Sequence, residues 1–408
     1  MSTNLPVGHP LARKAFSVAA FAETQRQPSF RKNLTGDAPQ QGAAGAKLKG
    51  QTSADMPFVR VTDLRRSRGD TVSIDLFNII TGKPVMGDRK IAGRLMNLSF
   101  SSMDISIDQY RAGVDSGGRM TQQRTVHDLR MVAKNNLVGY GARLEDQLCL
   151  VHVAGARGYD DGEDWVVPLA DDPEFQDIVV NDVLPPTANR RFFADDATSV
   201  TNLANTDFLS LDDLDAISAR IDDMVFPPQP VKLLNDPAAD DEPMYVMYVT
   251  SRQWHHLQTQ TGETAWRTFL QNAVNRGSAF EGTRHPLFTG QPGMWNRLLI
   301  KKMRRGIRFP AGSVVREYDA SGVLQDRVAA VDTDRAIILG AQALAECYGS
   351  FGESGNSAKW HEEMTDHDST MECSMSFMAG KKKVRFVGSN GELTDHGAMT
   401  IDSYAPAP

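Results

Sequence analysis

The chain has 408 residues, of which 41% are hydrophobic and 23% are charged. This length and composition predict a folded protein with a substantial core in two or more lobes, and they exclude wholesale disorder. No apolar run approaches the roughly 20 residues that a membrane-spanning helix needs, so no membrane segment is predicted.

The charge is distributed unevenly along the chain. Residues 1–50 contain seven basic side chains against two acidic ones, a net of +5, whereas the whole chain carries −7 and residues 51–408 therefore carry −12. Proteins that wrap nucleic acid need basic surface to neutralise phosphates, and an acidic body lacks it. We therefore expect only the first 50 residues to contact DNA or another acidic partner.

The N-terminal stretch is rich in turn formers and has no sustained apolar period, as residues 40–45 illustrate. We interpret residues 1–56 as an extended arm. Residues 1–21 lack the apolar core and the small-residue cleavage site of a signal peptide. The sequence therefore predicts a protein that matures in the cytoplasm.

Two runs of alternating apolar residues follow the arm. The first run contains Val72, Ile74 and Leu76, and the second contains Leu98, Phe100, Met103, Ile105 and Ile107. Residues 82–90 between them are rich in turn formers and charge. The pattern predicts a long two-stranded projection with a polar tip. Because such a hairpin is only marginally stable alone, we expect its apolar face to lie on another surface.

After Gly117 the apolar period becomes that of a helix. The periodic residues are Val126, Leu129, Ala133, Leu137, Tyr140, Leu144, Leu148 and Val151. A helix over residues 120–153 would be roughly 50 Å long at about 1.5 Å per residue. It would form the backbone of an elongated molecule. Gly139 and Gly141 lie inside it, where glycine permits close packing.

Three later elements are also predicted. Ser210 and Asp213 have the spacing of a capping box at the start of a short amphipathic helix that includes Ile217. Residues 245–249 are typical of a buried strand, and residues 265–275 of a helix that ends near Gly277.

No catalytic motif is apparent in the sequence. It contains no phosphate-binding loop of the Walker type, no dinucleotide fingerprint after a strand, no nucleophile elbow and no paired-histidine helix motif. The strongest metal candidate is the acidic loop with His361, Glu363, His367 and Asp368, because imidazole and carboxylate together bind divalent cations. The two histidines are six residues apart, which suits neither one helical face nor one turn, so a solvated loop is the favoured interpretation.

Lysines and cysteines suggest structural roles. Lys381, Lys382 and Lys383 are interpreted as a solvated strand edge, where lysines discourage unwanted pairing. The three cysteines of the chain are too few and too scattered for a disulfide framework or a zinc site. We expect reduced, partly buried thiols.

The order of parts, and several residues placed along it, resemble the major capsid proteins of tailed bacteriophages. The landmarks are Asp63, Leu64, Gly69 and Asp70; Gln122, Gln123 and Arg124; Asn189 and Arg190; residues 266–277, 285–290 and Gly293; Arg335 with residues 339–343; and residues 380–383 with Phe386. The resemblance runs from about Pro57 to about Phe386. It is to the Hong Kong 97 type of capsid fold, in the branch related to coliphage N-four.

The resemblance implies an α+β fold with five parts. These are an N-terminal arm (1–56), an extended β-hairpin or E-loop region (57–118), a peripheral domain with a long spine helix (119–188), a mainly axial domain (189–300), and the remaining axial and peripheral strands with the C-terminus (301–408). The hairpin would lie across a neighbouring subunit. The hairpin residues expected at that contact are Lys83, Pro84, Met86, Asp88, Arg89 and Lys90, and the arm residues expected to make contacts are Arg13, Lys14, Arg31 and Lys32.

The implied function is structural and requires neither catalysis nor a cofactor or metal. Copies of the chain would form hexamers and pentamers of an icosahedral shell around double-stranded DNA, without sequence-specific DNA binding and without a membrane. Scaffolding, portal and decoration proteins would be partners, and a procapsid assembled in the host bacterial cytoplasm would expand into the virion capsid. Two alternatives remain open: a metal-dependent enzyme that uses His361 and His367, and a capsid decoration or adhesion module.

Overall fold

The protein is described by a computed structural model that covers residues 30–31, 34–37, 55–61, 70–77, 83–95, 100–124, 128–160, 162, 164–233, 236, 243–278, 285–288, 292–319, 321–351, 357–367, 369–388 and 391–407. Within these residues lie nineteen β-strands and six α-helices. The mixture is of the α+β class, as predicted. No helix in the described ranges is long and apolar enough to cross a membrane.

The elements follow one another in this order. The helices are α1 (Arg119–Arg124), α2 (Leu129–Ala154), α3 (Phe175–Val179), α4 (Leu211–Asp223), α5 (Ser251–Gln260) and α6 (Glu263–Ser278), with a 3-10 helix at Ala188–Arg190. The strands are β1 (Thr35–Asp37), β2 (Phe58–Val61), β3 (Thr71–Phe77), β4 (Phe100–Ser106), β5 (Asp108–Gly118), β6 (Arg191–Phe193), β7 (Tyr245–Val249), β8 (Gly293–Trp295), β9 (Leu298–Lys302), β10 (Ile307–Phe309), β11 (Val314–Tyr318), β12 (Leu324–Val328), β13 (Thr333–Leu339), β14 (Leu344–Tyr348), β15 (Ala358–Thr365), β16 (Thr370–Lys383), β17 (Arg385–Val387), β18 (Leu393–Asp395) and β19 (Ala398–Tyr404).

The first sheet has six strands, in the order β1-β2-β14-β16-β15, with β5 also paired to β16. Strand β16 is 14 residues long and alternates between buried and less buried positions along its first half. Its partners β5 and β15 both run antiparallel to it. Helix α2 covers the sheet, and Leu137 and Val138 pack against Met375 and Phe377 of β16.

The second sheet has seven strands, in the order β6-β19-β13-β7-β9-β8, with β10 paired to β13. Its central strands β13 and β7 are buried at every position, as expected for strands covered on both sides. On one face, Tyr245, Met247 and Val249 pack against α4, α5 and α6. On the other face, Val246 and Tyr248 share a core with the C-terminal end of α2 and with residues of the first sheet.

Helix α2 is shorter than the predicted helix over residues 120–153. It begins at Leu129, because the Asp128 side chain accepts hydrogen bonds from the backbone N–H groups of Arg130 and Met131 and so caps a new helix. Its 26 residues span about 39 Å. It ends at Gly155, whose φ of 67° is the left-handed conformation of a helix C-cap. The prediction of a single 50 Å helix is therefore wrong, because α1 covers residues 119–124 and Asp128 caps a separate helix.

The later predictions agree with the structure. Ser210 and Asp213 form the predicted capping box at the start of α4. Strand β7 occupies residues 245–249 and is buried throughout. Helix α6 extends two or three residues beyond each end of the predicted segment.

A tight hairpin joins β8 to β9. Asn296 and Arg297 have φ values of 38° and 59°, as a two-residue turn between strands requires. Arg297 is held there by an ion pair of 2.7 Å to Asp222 of α4. Gly293 lies against Phe269, and a Cβ at this position would fall 1.8 Å from the ring. Glycine is therefore required for α6 to pack on β8.

Candidate functional site

The predicted metal ligands do not converge. His361 and Glu363 lie on β15, with Nε2 and Oε2 3.5 Å apart. His367 lies in the following turn with a φ of 52°, and Asp368 is outside the described residues. Glu362, between the first two, is buried and accepts two hydrogen bonds from Arg130. Among described residues these side chains form no group of three potential ligands.

The described part of the chain has one such group elsewhere, formed by Asp195, Asp196 and Asp207, whose carboxylate oxygens lie within 4.8 Å of one another. Desolvation and the charge of Asp196 raise the pKa of Asp195. Asp207 accepts hydrogen bonds from a backbone N–H of its own loop and from Thr206 Oγ1. These bonds give Asp207 a structural role in the loop.

A buried cluster of charges joins the N-terminal arm to the body of the protein. Arg31 is buried and donates to Glu145 Oε2 at 3.1 Å and to Glu346 Oε1 at 2.5 Å. Its Nε lies 3.5 Å from Asp146 Oδ1. Glu145 and Asp146 belong to α2 and Glu346 to β14, so Arg31 joins α2 to the first sheet.

The cluster keeps Glu346 ionised. Burial alone would raise its pKa, but Arg31, Lys381 and Arg60 outweigh burial and lower the pKa of Glu346 from 4.5 to about 2. Tyr348 Oη donates to Glu346 Oε2 at 3.0 Å, and Cys149 Sγ donates to Oε1 at 3.1 Å. Burial raises the pKa of the Cys149 thiol well above its usual value, so it remains a protonated donor.

Phe30 links the same arm segment to the second sheet. Its ring meets those of Phe58 and Tyr248 edge to face, with centroids 5.7 Å and 5.5 Å apart. Tyr248 Oη also donates to the carbonyl oxygen of Phe30 at 2.8 Å. Phe58 lies in β2 and Tyr248 in β7. We call Phe30 and Arg31 the arm anchor, because together they contact both sheets and the spine helix.

Of the four arm residues that were predicted to make contacts, the structure describes Arg31 alone. Arg31 contacts its own chain. Arg13, Lys14 and Lys32 lie outside the described residues. Contacts of the arm with another subunit remain a prediction.

The base of the β3–β4 hairpin is covered by its own chain. The two alternating runs form paired strands, as predicted, and the structure places Val72 opposite Ile105 and Ile74 opposite Met103. These side chains join a core with β2, β14 and Val384. The expectation that the hairpin needs another surface is therefore met within the subunit for this part, and no neighbour is required to cover it.

The far end of the hairpin, unlike its base, is exposed to solvent. Residues 83–95, here called the hairpin tip, project between β3 and β4 and are almost entirely exposed. The six predicted contact residues are all exposed: Lys83, Pro84, Met86, Asp88, Arg89 and Lys90. Met86, Ile91 and Leu95 are large apolar side chains with 69%, 59% and 76% of their surface in solvent. Four cations and one carboxylate give the tip a net charge of +3.

The prediction for the lysine run is wrong. Lys381 and Lys383 are buried, in the part of β16 that pairs with β14, and Lys381 Nζ lies 5.5 Å from the centroid of the Tyr348 ring. Lys383 Nζ lies 3.2 Å from Asp395 Oδ2, yet burial outweighs that charge and lowers the pKa of Lys383 to about 7. Lys382 donates instead to the carbonyl oxygen of Asp104 in β4, at 2.7 Å.

Two arginines among the landmarks also have structural roles. Arg335 forms two hydrogen bonds of 2.7 Å to Asp402 and a third to the carbonyl oxygen of Ala154 at the end of α2. Arg190 donates from Nε to the carbonyl oxygen of Asp395 at 2.9 Å. Both guanidinium groups are buried and hold neighbouring elements together.

Glu145 and Glu346 are partners of the arm that the sequence did not predict. A signal for Glu346 was present, because a carboxylate in the middle of an apolar strand predicts a buried ion pair. Its partner Arg31 is 315 residues away in the sequence, a separation that no local pattern bridges.

Comparisons with known proteins agree with this architecture. The family described as "Phage capsid protein" matches residues 4–407. The major capsid protein of Pseudomonas phage KPP25 is 26% identical over 374 residues, which cover 86% of this chain and 88% of that protein. The capsid of Ralstonia phage GP4 superposes with a TM-score of 0.73 at 25% identity, over 94% of this chain and 93% of that one. The capsid of cyanophage Pam1 shares the fold with a TM-score of 0.59 at 18% identity, over 87% and 90%.

Proposed function

Because this chain belongs to the phage capsid protein family and is a major capsid protein that forms the shell of a phage, with the Hong Kong 97 type of fold, we propose that its hairpin tip is the part of each subunit that holds a neighbouring subunit. The observation that carries this proposal is the exposure of Met86, Ile91 and Leu95 on a charged projection whose base is already packed. Large apolar side chains exposed together mark interaction surfaces.

The tip can gain more free energy from a contact with a neighbour than the rest of the hairpin can. Burying a Met, Leu or Ile side chain contributes about 1.5–3 kcal/mol, so three of them supply on the order of 5 kcal/mol to one contact. The hairpin base has little apolar surface left to bury against a neighbour, because Ile105 is already fully buried in its own subunit. A shell repeats each contact many times, so a modest energy per contact suffices.

The remaining parts have the roles that the resemblance implied. We assign residues 1–56 to the arm, 57–118 to the hairpin region, 119–188 to the peripheral domain, 189–300 mainly to the axial domain, and 301–408 to the remaining strands. The arm anchor supports a role for the arm in setting the geometry of the subunit, because it contacts both sheets.

We also propose binding partners and an assembly pathway for the subunit. Hexamers and pentamers form a procapsid in the host cytoplasm with scaffolding and portal proteins, and decoration proteins bind the shell. The acidic body, with −12 over residues 51–408, suits a container whose wall does not bind packaged DNA tightly. The subunit works by binding and not by catalysis, and a metal-dependent or decoration role is not favoured.

The test compares two exposed hairpins of the same subunit. We expect the variant Met86→Ser/Ile91→Ser/Leu95→Ser to remain folded, by circular dichroism and melting temperature, and to form few or no shells in negative-stain micrographs. The matched control changes Val314, Val323 and Val328 to Ser on the β11–β12 hairpin, where 50%, 56% and 51% of their surface is exposed.

The control is expected to assemble, because it removes three similarly exposed apolar side chains from another projection. A second tip variant that lacks residues 83–90 should give the same defect as the triple substitution. Shells of normal yield from either tip variant would contradict the proposed role.

A further inference from the structure

We infer that strand β5 pairs in antiparallel fashion with β5 of a second copy of this chain, across a two-fold axis that passes through Gly113. The first sheet of one subunit then continues into the first sheet of the next. This contact is separate from the hairpin tip and goes beyond the function proposed for it. Three observations support it: an open strand edge, a symmetric pair of charges, and a glycine midway between them.

Strand β5 forms an open edge of the first sheet. Among the described residues, its only strand partner is β16. Arg111, Gly113 and Asp115 are exposed, and Tyr110 and Val114 on the other face are only partly buried. The 11 residues of β5 include no proline and no lysine, which commonly protect such an edge from pairing. The open side therefore offers a row of backbone N–H and C=O groups to another strand.

The charges on the exposed face of β5 lack partners of opposite sign among the described residues. Arg111 lies opposite Ser376 of β16, and Asp115 lies opposite Glu372. Glu372 in turn lies opposite Glu363 of β15, so carboxylates stand side by side on three adjacent strands. Because like charges directly opposite each other destabilise a sheet, this face favours a partner that brings a cation to Asp115.

A second copy of β5 supplies the missing partners. Arg111 and Asp115 each lie two residues from Gly113. When two β5 strands run antiparallel about an axis at Gly113, each residue before the glycine lies opposite the residue equally far after it. Arg111 of each copy then faces Asp115 of the other, and opposite charges at such positions stabilise the pairing. A patch that complements itself in this way is the property of an isologous two-fold contact.

The axis also explains the glycine. Within one subunit a Cβ at Gly113 would lie 3.6 Å from Ser374 Cβ, an ordinary contact, so the fold itself does not require glycine here. On the axis, however, residue 113 faces its own copy with Cα atoms about 4.5–5.5 Å apart. Two bulky side chains would meet there, whereas glycine lets the backbones approach.

The other face of the paired strands gains apolar contacts. An axis perpendicular to the sheet leaves α2 of both copies on the same face, so the continuous sheet keeps one covered side. On that side, Ala112 of one copy lies opposite Val114 of the other. Both side chains are only partly buried within one subunit, and their contact across the axis removes further apolar surface from water.

A two-fold contact joins subunits of different rings. Each copy uses its single β5 edge once, so the contact closes as a pair and cannot build a ring of five or six. This step rests on the hexamers and pentamers of the proposed function. The paired β5 strands then lie between neighbouring capsomers and connect them.

Cross-linking at Gly113 tests the axis. Shells of Gly113→Cys are exposed to mild oxidation; the chain's own three cysteines are all buried. We expect a disulfide-linked dimer on non-reducing gels, because Cα atoms about 4.5–5.5 Å apart fall within the span of a disulfide, about 4.4–6.8 Å. The control Gln109→Cys is exposed on the same face. Its two copies would lie about 26 Å apart along the paired strands, so no dimer is expected.

Charge reversal tests the symmetry of the contact. Arg111→Glu and Asp115→Lys, in separate chains, should each lower the yield of shells at least about tenfold, because like charges meet twice in every pair. Both chains together should restore most of the yield, since a mixed pair sets the new glutamate against the new lysine and the original arginine against the original aspartate. The control Lys359→Glu changes an exposed cation on the same face of β15 and should assemble normally.

Circular dichroism and melting temperature first establish that every variant is folded. Intact Gly113→Cys shells without the dimer would overturn the inference, and they would also be the result if another protein occupied this edge. Folded charge variants that fail to rescue each other would overturn it as well. Neither result touches the role of the hairpin tip. Normal shells from the serine variant of the tip would remove that role, whereas a dimer through Gly113→Cys in those same shells would still support the pairing of β5.

Discussion

Arg31 shows how one buried charge can hold a distant chain segment in place. Its guanidinium neutralises Glu145 and Glu346, which are both buried. A buried ion pair contributes little net stability compared with an apolar replacement, but removing one partner leaves an uncompensated charge and costs about 3–5 kcal/mol. The cluster therefore makes the position of the arm specific, because no other segment can take the place of Arg31 without that cost.

The first prediction concerns pH. Since the pKa of Glu346 is about 2 in the folded protein and 4.5 ordinarily, its ionised form stabilises the fold fully above about pH 4.5, and this stability is lost as the pH falls towards 2. Arg31→Met removes the main cation and raises the pKa of Glu346. The free energy of unfolding, from urea titration of unassembled subunits, should differ most between wild type and variant at pH 7 and least near pH 2.

The control for this prediction is Arg304→Met. Arg304 is largely exposed and pairs with Asp164 at 3.0 Å. Exposed pairs contribute about 0–1 kcal/mol, so this change should be small at every pH. A difference between wild type and Arg31→Met that does not change with pH would show that Arg31 acts by packing and not through the ionisation of Glu346.

Single residues were the hardest features to predict from sequence. The capping box at Ser210 was predictable because its two side chains are three residues apart and act locally. The burial of Lys381 was not predictable, because a run of three lysines fits a solvated strand edge as well as a buried strand. Lys381 is buried beside Tyr348 of β14, and no local pattern shows that β14 pairs with this part of β16.

At the scale of elements, α2 packs closely on β16 in the first sheet. Gly141 lies where the helix crosses Phe377 and Met375, and a Cβ there would fall 2.2 Å from Phe377 Cζ. Gly139 is on the same helix but has no atom within 4 Å of an added Cβ. Two glycines two residues apart therefore have opposite environments.

The second prediction uses this pair. Gly141→Ala should lower the free energy of unfolding by about 1–3 kcal/mol, because the buried ring of Phe377 must move to admit a methyl group. Gly139→Ala should leave it unchanged or raise it by up to about 1 kcal/mol, because alanine is the better helix former. Urea unfolding of the two variants measures both, and equal effects would contradict the packing role of Gly141.

Elements were predicted well where the pattern is local. The alternation in residues 72–107 predicted two strands, and the structure pairs them with Val72 opposite Ile105. The helical period predicted α2 but not its first residue. Periodicity does not show that the side chain of Asp128 caps a new helix. The surface under the hairpin base could not be foreseen either, since it comes from β2, β14 and Val384.

For the whole molecule, the two sheets share one core. The C-terminal strand β19 lies inside the second sheet next to β13, and β2 near the N-terminus pairs in parallel with β14. Periodicity cannot predict such pairings, because it reports which face of an element is buried and not which element covers it. The resemblance to phage capsid proteins supplied the fold that local patterns could not.

The shared core also explains why the arm anchor matters beyond its own residues. Leu34, three residues after Arg31, is fully buried in the core that joins Phe58 of the first sheet to Val246 of the second. The segment from residue 30 to 37 thus contributes an aromatic contact, an ion cluster, a core leucine and the edge strand β1. The stability of the subunit should depend on this short segment more than its length suggests.

The third prediction compares two truncations. Deleting residues 1–37 removes the whole segment and leaves Glu145 and Glu346 without Arg31, whereas deleting residues 1–29 keeps every contact of that segment described above. The longer deletion should therefore melt several degrees below the shorter one in calorimetry of unassembled subunits, since a loss of several kcal/mol shifts the midpoint by that order. Adding Glu346→Gln to the longer deletion should recover part of the difference, because it removes a buried carboxylate that has lost its main counterion. Equal melting temperatures for the two truncations would mean that the anchor does not bind the sheets together.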